Sequence, residues 1–306
     1  MKVLVTGGAG FIGSHTVDRL AARGAEVVVA DDLSTGKKEN INPAAKFVKV
    51  DISTEMLEEV FADQQPQFVI HLAAQVSVPR SVINPVRDCT TNILGTVNLL
   101  ENCRRYGVRK VVYASSAAVY GNPAGTTLSE EDSTAPLSFY GVSKFTPEHY
   151  LRVFNNLYGL NYTILRYANV YGPRQDASGE GGVVSIFASR ALTGQSPVIF
   201  GDGEQTRDFV YVEDVAEANI SALSGGDRMV MNIGTGDRLS VNRLWSLMSG
   251  ITGADDLKPV YSDPREGDIM HSCMDVRKAV SALGWKPVFP VREGLVRTLD
   301  YYRGKV

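Results

Sequence analysis

The chain has 306 residues, of which 44% are hydrophobic and 21% charged, with a formal net charge of −3. That length supports a full core in one large domain or two unequal ones. The charge balance lacks the basic excess of a nucleic-acid binder, and no apolar run approaches the ~20 residues of a membrane span, so neither a nucleic acid nor a membrane is an expected partner.

The chain opens on a β-branched apolar run, Lys2 to Thr6, that reads as a buried strand and leaves no room for a signal peptide. Gly7, Gly10 and Gly13 follow at once, and residues 14–20 then show helical periodicity. In such a strand–turn–helix crossover the first glycine permits the tight turn, the second lets backbone approach a pyrophosphate, and the third lets helix pack on strand. The helix start also offers unpaired N–H groups and the positive dipole end to an anion. A second strand, residues 26–30, ends on Asp31, about 20 residues past the loop, where an acid accepts from ribose hydroxyls. A carboxylate there repels a 2′-phosphate. Asp32 adds to that repulsion and no cation follows until Lys37, so NAD is expected over NADP.

Further strands are expected at residues 46–50, 67–72, 110–114 and 162–167, with helices between them, including 92–106 and 145–157. Strict alternation implies an α/β fold with a doubly wound parallel sheet, and ligands bind beyond the carboxyl ends of its strands. Asp31, Asp51, Ala73, Ser116 and Asn169 stand at those ends. After Pro173 the alternation is lost. The division expected is a Rossmann domain over 1–172, with 208–228 a candidate to return to it, and a smaller α/β substrate lobe over 173–306. Cys89, Cys103 and Cys273 have no metal-like spacing and the four histidines are scattered, so no metal is expected. Free thiols suit a reducing cytoplasm.

Tyr140 and Lys144 in Tyr140-Gly141-Val142-Ser143-Lys144 would share one face of a helix, a turn apart. A lysine cation there favours the phenolate of a tyrosine whose free pKa is ~10, so the phenol could move a proton near neutral pH.

The glycine motif through Ser14-His15, together with this Tyr-x-x-x-Lys, resembles the extended short-chain dehydrogenase/reductases. From the first strand to Leu283-Gly284-Trp285-Lys286-Pro287 the chain looks like the nucleotide-sugar 4-epimerases of the UDP-glucose 4-epimerase group. The resemblance implies Tyr140 as base, Ser116 hydrogen-bonding the sugar C4 oxygen, and Lys144 on the nicotinamide ribose. It implies NAD contacts at Gly7, Gly10, Phe11, Ile12, Gly13, Asp31, Asp32, Ser34, Thr35, Gly36, Asp51, Ile52, Leu72, Ala73, Ala74, Gln75, Asn92, Ser115, Tyr140, Lys144, Tyr167 and Val170. For the UDP-sugar it implies Ser116, Tyr140, Asn169, Val183, Val184, Phe200, Arg207, Arg265, Asp268 and Ser272, arginines suiting a diphosphate.

The reaction implied is reversible epimerisation at C4 through a 4-keto sugar, with NAD held throughout. Ala117-Ala118 replaces the Asp-Glu pair of the related 4,6-dehydratases, which argues against elimination. Ser272 aligns where epimerases restricted to glucose and galactose tend to carry tyrosine, which leaves room for an N-acetyl group. A UDP-glucuronate 4-epimerase using Arg80 or Arg174, or an NAD-linked nucleotide-sugar reductase, is the alternative. Members are usually homodimers, so helices 92–106 and 145–157 are expected to pair with their copies in a four-helix bundle. Leu99, Leu100, Cys103, Leu151 and Phe154 give apolar faces, of which about half face their own sheet instead.

Overall fold

The computed structural model describes residues 1–122, 125, 127–176, 182–264 and 269–305. It begins with β1 (Lys2–Thr6), α1 (Phe11–Ala22), β2 (Glu26–Asp31), β3 (Lys46–Lys49), α2 (Leu57–Gln64) and β4 (Phe68–His71). The short helices α3 (Val78–Ile83) and α4 (Pro85–Cys89) lead through a π-helical turn, Thr90–Leu94, into α5 (Gly95–Arg105). Next come β5 (Lys110–Ser116), α6 (Phe139–Tyr158), β6 (Asn161–Tyr167), β7 (Asn169–Tyr171), α7 (Val183–Leu192), β8 (Val198–Phe200), β9 (Thr206–Arg207) and β10 (Phe209–Tyr211). The last elements are α8 (Val212–Ser221), β11 (Met229–Ile233), β12 (Leu239–Ser240), α9 (Val241–Thr252), β13 (Val260–Ser262), α10 (Arg277–Leu283) and α11 (Val291–Arg303).

Seven parallel strands form one sheet in the order β11-β6-β5-β4-β1-β2-β3. The expected doubly wound α/β fold is therefore present. The central strands are mostly apolar because helices cover both faces. Val17 and Leu20 of α1 and Val215 and Ala218 of α8 pack on one face. Phe61 of α2, Leu99 of α5 and Leu151 of α6 pack on the other. A separate cluster built on Phe187, Trp245, Leu244 and Leu299 forms the core of the C-terminal region. The six expected strands are joined by β11, which sits beside β6 after an excursion of some sixty residues. The strand order reverses between β1 and β4, the crevice where such sheets hold a ligand.

Two expectations about helices need correcting. The one read over 145–157 starts at Phe139, because Ser138 caps it, its Oγ accepting from Gly141 N at 3.0 Å. Tyr140 and Lys144 thus lie inside its first two turns. The residues expected at a dimer face are core residues: Leu99, Leu100 and Cys103 are 0% exposed, and Leu151 and Phe154 are buried with them under the sheet. The more apolar side of each helix is the one its own sheet claims. The exposed apolar side of α6 is Phe139, Val142, Tyr150, Val153 and Leu157, beside Val78 and Val82 of α3 and Val86 of α4.

Candidate functional site

The β1–α1 turn has the shape that the glycines dictate. Gly7 has φ +70°, and a Cβ on it would stand 2.6 Å from Ala73 N at the end of β4. A Cβ on Gly13 would meet Gly7 O at 2.0 Å, so only glycine lets α1 seat this close to the strand. The first helical bond runs from Ser14 N to Gly10 O at 3.0 Å, which leaves the N–H groups of Phe11 and Ile12 at the helix mouth for an anion.

Asp31 ends β2 and is buried. Its carboxylate accepts from Ala9 N at 3.0 Å and Leu33 N at 2.9 Å, tying the β2 loop to the glycine turn, while burial pushes its pKa up against those bonds. Asp32 accepts from Ser34 N and Oγ at 2.9 and 2.7 Å and shapes the turn through Thr35 and Gly36. Asp51 does the same after β3, accepting from Ser53 N at 2.8 Å, and Ile52 is buried under α5. Leu72 and Ala73 hydrogen-bond through their N–H groups to Thr6, at 3.1 and 3.3 Å, and Ala74 and Gln75 continue outward from β4. A cradle that any side chain would fill, N–H groups at a helix mouth and an acid at the β2 end together fit a dinucleotide.

At the next rim position Tyr140 faces Ser116, which ends β5 and caps the turn Ala117–Val119, its Oγ accepting from Ala118 N at 3.2 Å. The expectation that Lys144 draws the tyrosine's pKa down is not met. Burial pushes the Tyr140 phenol up, a hydrogen bond with Ser116 opposes this, and the Asp88 carboxylate pushes it further up. Lys144 is itself buried, and burial pushes its ammonium down to about 8, with Glu148 and Asp88 opposing. Its Nζ stands 4.7 Å from the Tyr113 ring centroid and, among the described residues, forms no ion pair.

Asn92 sits in the π-helical turn and is buried. Its Nδ2 donates to Gln75 O at 2.9 Å and Ser143 Oγ at 2.9 Å, and its Oδ1 accepts from Gln75 N at 2.8 Å. Ser143 Oγ in turn donates to Tyr140 O at 3.1 Å. The π-turn therefore joins the β4 loop to the helix bearing Tyr140 and Lys144. Ser115 and Tyr167, expected at the cofactor, spend their hydroxyls elsewhere: Ser115 Oγ donates to Glu148 Oε1 at 2.6 Å, and Tyr167 donates to Asn219 Oδ1 at 2.6 Å.

In the C-terminal region Asn169 and Val170 lie on β7, paired in parallel with β10. Val183 starts α7 half-buried, whereas the Val184 side chain is buried in that region's core. Phe200 ends β8. Arg207 Nη1 donates to Thr206 O at 2.9 Å, and Ser272 N donates to the same oxygen at 3.1 Å, so Arg207 and Ser272 are neighbours. Between them Asp208 is a buried carboxylate that accepts from Thr235 N (2.8 Å), Thr235 Oγ1 (2.7 Å), Gly236 N (3.0 Å) and Met274 N (3.1 Å). Arg265 and Asp268 lie outside the described residues. Arg174, a candidate for a sugar carboxylate, is engaged instead with Asp18 of α1 at 2.7 Å.

Sequence reasoning missed three buried groups behind the rim. Glu148 is 0% exposed and takes a two-point contact from Arg166, at 3.0 and 2.7 Å, besides Ser115. Its signal was present: it stands four residues after Lys144 on the same helical face. Asp88 stands four before Asn92 and holds Gln75 Nε2 at 2.7 Å. His71, at the end of β4, is buried between two threonines.

A parallel sheet with a glycine crossover at its switch point, an acid ending β2 and a Tyr–Lys pair on the adjoining helix define a nucleotide-binding α/β oxidoreductase-type site. Comparison with known proteins narrows the class. Residues 3–234 match the family model described as the NAD dependent epimerase/dehydratase family, and the chain belongs to that family. It is 49% identical, with a TM-score of 0.98, to UDP-glucose 4-epimerase from Thermotoga maritima solved with UDP-glucose, covering 100% of this chain and 99% of that one. It is 44% identical, TM-score 0.94, to the Thermus thermophilus UDP-glucose 4-epimerase solved with NAD, covering 100% of both chains. It is 39% identical, TM-score 0.95, to UDP-N-acetylglucosamine 4-epimerase from Methanobrevibacter ruminantium in complex with UDP-N-acetylmuramic acid, covering 100% of this chain and 99% of that one. The chain is thus an NAD-dependent isomerase of the nucleotide-sugar epimerase type, as its motifs led one to expect.

Proposed function

We propose that the enzyme interconverts C4 epimers of UDP-hexoses, UDP-glucose with UDP-galactose and UDP-GlcNAc with UDP-GalNAc. The observation that carries this is the convergence of Tyr140, Ser116 and Lys144 at one strand end beside the glycine cradle. NAD held in that cradle would supply a reversible hydride acceptor beside the sugar C4. Tyr140 removes the proton from the C4 hydroxyl and gives it back, and Ser116 orients that oxygen. Lys144 supplies positive charge next to the proton transfer. Gly7, Gly10, Phe11, Ile12 and Gly13 hold the pyrophosphate, and Asp31 accepts from the adenosine ribose.

The diphosphate of the sugar nucleotide is held by Arg207 and Arg265, with Asp268 on its ribose and Asn169 and Phe200 alongside. Because the grip falls on the nucleotide, the hexose is free to turn over between hydride transfers. Ser272, small and beside Arg207, admits an N-acetyl group at C2. The division of labour is a cofactor domain over 1–172 and a sugar lobe over 173–306. The protein acts in the cytoplasm as a homodimer joined through the exposed side of α6 with α3 and α4 rather than through the residues buried under the sheet. That no helix among the described residues is long and apolar enough to cross a membrane accords with this reading.

A panel of UDP-sugars incubated without added cofactor, with products separated by C4 configuration, tests the proposal. Interconversion of the glucose and galactose pair is the expected result. No product without added NADH would point to a reductase instead, and turnover of UDP-glucuronate alone would replace the substrate assignment.

A further inference from the structure

His71 is 1% exposed and lies between Thr6 Oγ1, 2.7 Å from its Nδ1, and Thr96 Oγ1, 2.9 Å from its Nε2. The hydrogen positions along this row follow from chemistry. Thr96 Oγ1 stands 2.6 Å from the Asn92 carbonyl oxygen, which can only accept, so the Thr96 hydrogen is committed there. Thr96 can then only accept from His71, which places a hydrogen on Nε2. Burial and the Lys144 cation keep the ring neutral by pushing its pKa down to about 3. Nδ1 therefore carries a lone pair, and the Thr6 hydroxyl donates to it. Thr6 Oγ1 accepts in turn from Ala73 N–H at 3.3 Å. Each hydroxyl and ring nitrogen has one role, and the row runs in a single direction from the cofactor loop to the π-helical turn.

We infer that His71 is a positioning residue: it transmits the seat of the β1 and β4 ends to the Asn92 turn, and Asn92 passes it through Ser143 to the Tyr140 turn of α6. Thr6 immediately precedes Gly7, and Ala73 is the residue that Gly7 abuts. The Thr96 bond pulls the Asn92 carbonyl inside the wide turn, where its side chain can bridge Gln75 and Ser143. One imidazole thus sets the distance between the dinucleotide cradle and the phenol that moves the proton. The inference rests on the reading of Tyr140 as that group.

Nitrogen-15 histidine spectra of the holoenzyme test the row directly. Among the four histidines, His71 is expected as a neutral ring with its hydrogen on Nε2, unchanged from about pH 8 to about pH 5. A hydrogen on Nδ1, or a ring that titrates in that range, overturns the inference. The kinetic arm is Thr96→Val, which leaves Nε2–H without an acceptor at nearly constant shape. It is expected to lower kcat about tenfold while KM for the UDP-sugar and the copurified NAD stay within about twofold, with Thr96→Ser restoring the rate. Full kcat in Thr96→Val, or KM and NAD content falling in step with kcat, refutes it. Absence of any C4 epimerisation by the wild-type enzyme would sink the functional reading, while the spectra would still decide the row.

Discussion

Glu148→Gln is the substitution on which the structure speaks most sharply. The carboxylate has no solvent exposure, and it holds Arg166 at two points and Ser115 at a third, at 3.0, 2.7 and 2.6 Å. Arg166 is 3% exposed and stacks over Tyr120 at 4.8 Å, so it has no route to water once its counter-charge is gone. Removing one partner of a buried pair costs about 3–5 kcal/mol. Glutamine keeps one accepting oxygen, so we take about 3 kcal/mol. With an unfolding entropy of about 2 cal/mol/K per residue over this length, the melting temperature falls by about 5 °C. Scanning calorimetry at neutral pH measures it. The charge also favours the ammonium of Lys144 one turn away. Its loss moves the alkaline limb of the kcat profile to lower pH. A melting shift below about 1 °C, or an alkaline limb that stays put, would refute the reasoning. Replacing Glu148 and Arg166 together by methionine should recover part of the lost stability, because the Arg166 charge is then no longer stranded, while buried Lys144 still lacks its carboxylate.

Four other outcomes are expected. Lys144→Met should abolish epimerisation yet stabilise the fold. A lysine whose folded pKa lies near 8 binds fewer protons than the unfolded chain between there and its ordinary value, so its charge costs stability below that window and the cost is relieved as pH rises through it. A gain of about 2 kcal/mol at neutral pH in chemical denaturation is the check. Gly13→Ala should give folded protein without copurified NAD absorbance, since its Cβ would press on Gly7 O. Ser272→Tyr should remove UDP-GlcNAc turnover and leave UDP-glucose within about threefold, as measured by product separation; equal loss on both sugars would count against a C2 gate. Val153→Glu with Leu157→Glu should convert a dimer into a monomer by light scattering, whereas a polar change at buried Leu99 should unfold the chain instead.

What the chain disclosed of itself depended on how local the cause was. The β1 turn was readable because the glycine spacing answers a largely local steric demand, as Gly13 against Gly7 O bears out, although Gly7 is also pressed by Ala73 at the end of β4. The strand ends were readable because apolar runs break at Asp31 and Ser116. The strand β11 was not, since Met229–Ile233 acquires its place only by pairing with a strand sixty residues earlier. The exposed and buried sides of α6 were confused because both are apolar, and only the sheet decides that Leu151 goes in while Val153 stays out. The tyrosine's pKa was misjudged because charge spacing is visible in a sequence and desolvation is not. The supporting groups Asp88 and Glu148 carried a weak trace, each four residues from a site residue, but their partners Gln75 and Arg166 come from the loop after β4 and from β6.

The late arrival of β11 has a consequence for biosynthesis. In the folded sheet β6 lies between β5 and β11, so until residues 229–233 are made one of its edges has no native partner. Throughout that interval the nascent molecule offers the backbone ladder of Tyr162 to Tyr167, apolar but for Thr163 and Arg166, to any neighbouring polypeptide. Ribosomal stalling or early termination anywhere in the intervening stretch would leave that edge unsealed, making aggregates rather than idle monomers the expected fate of truncated products.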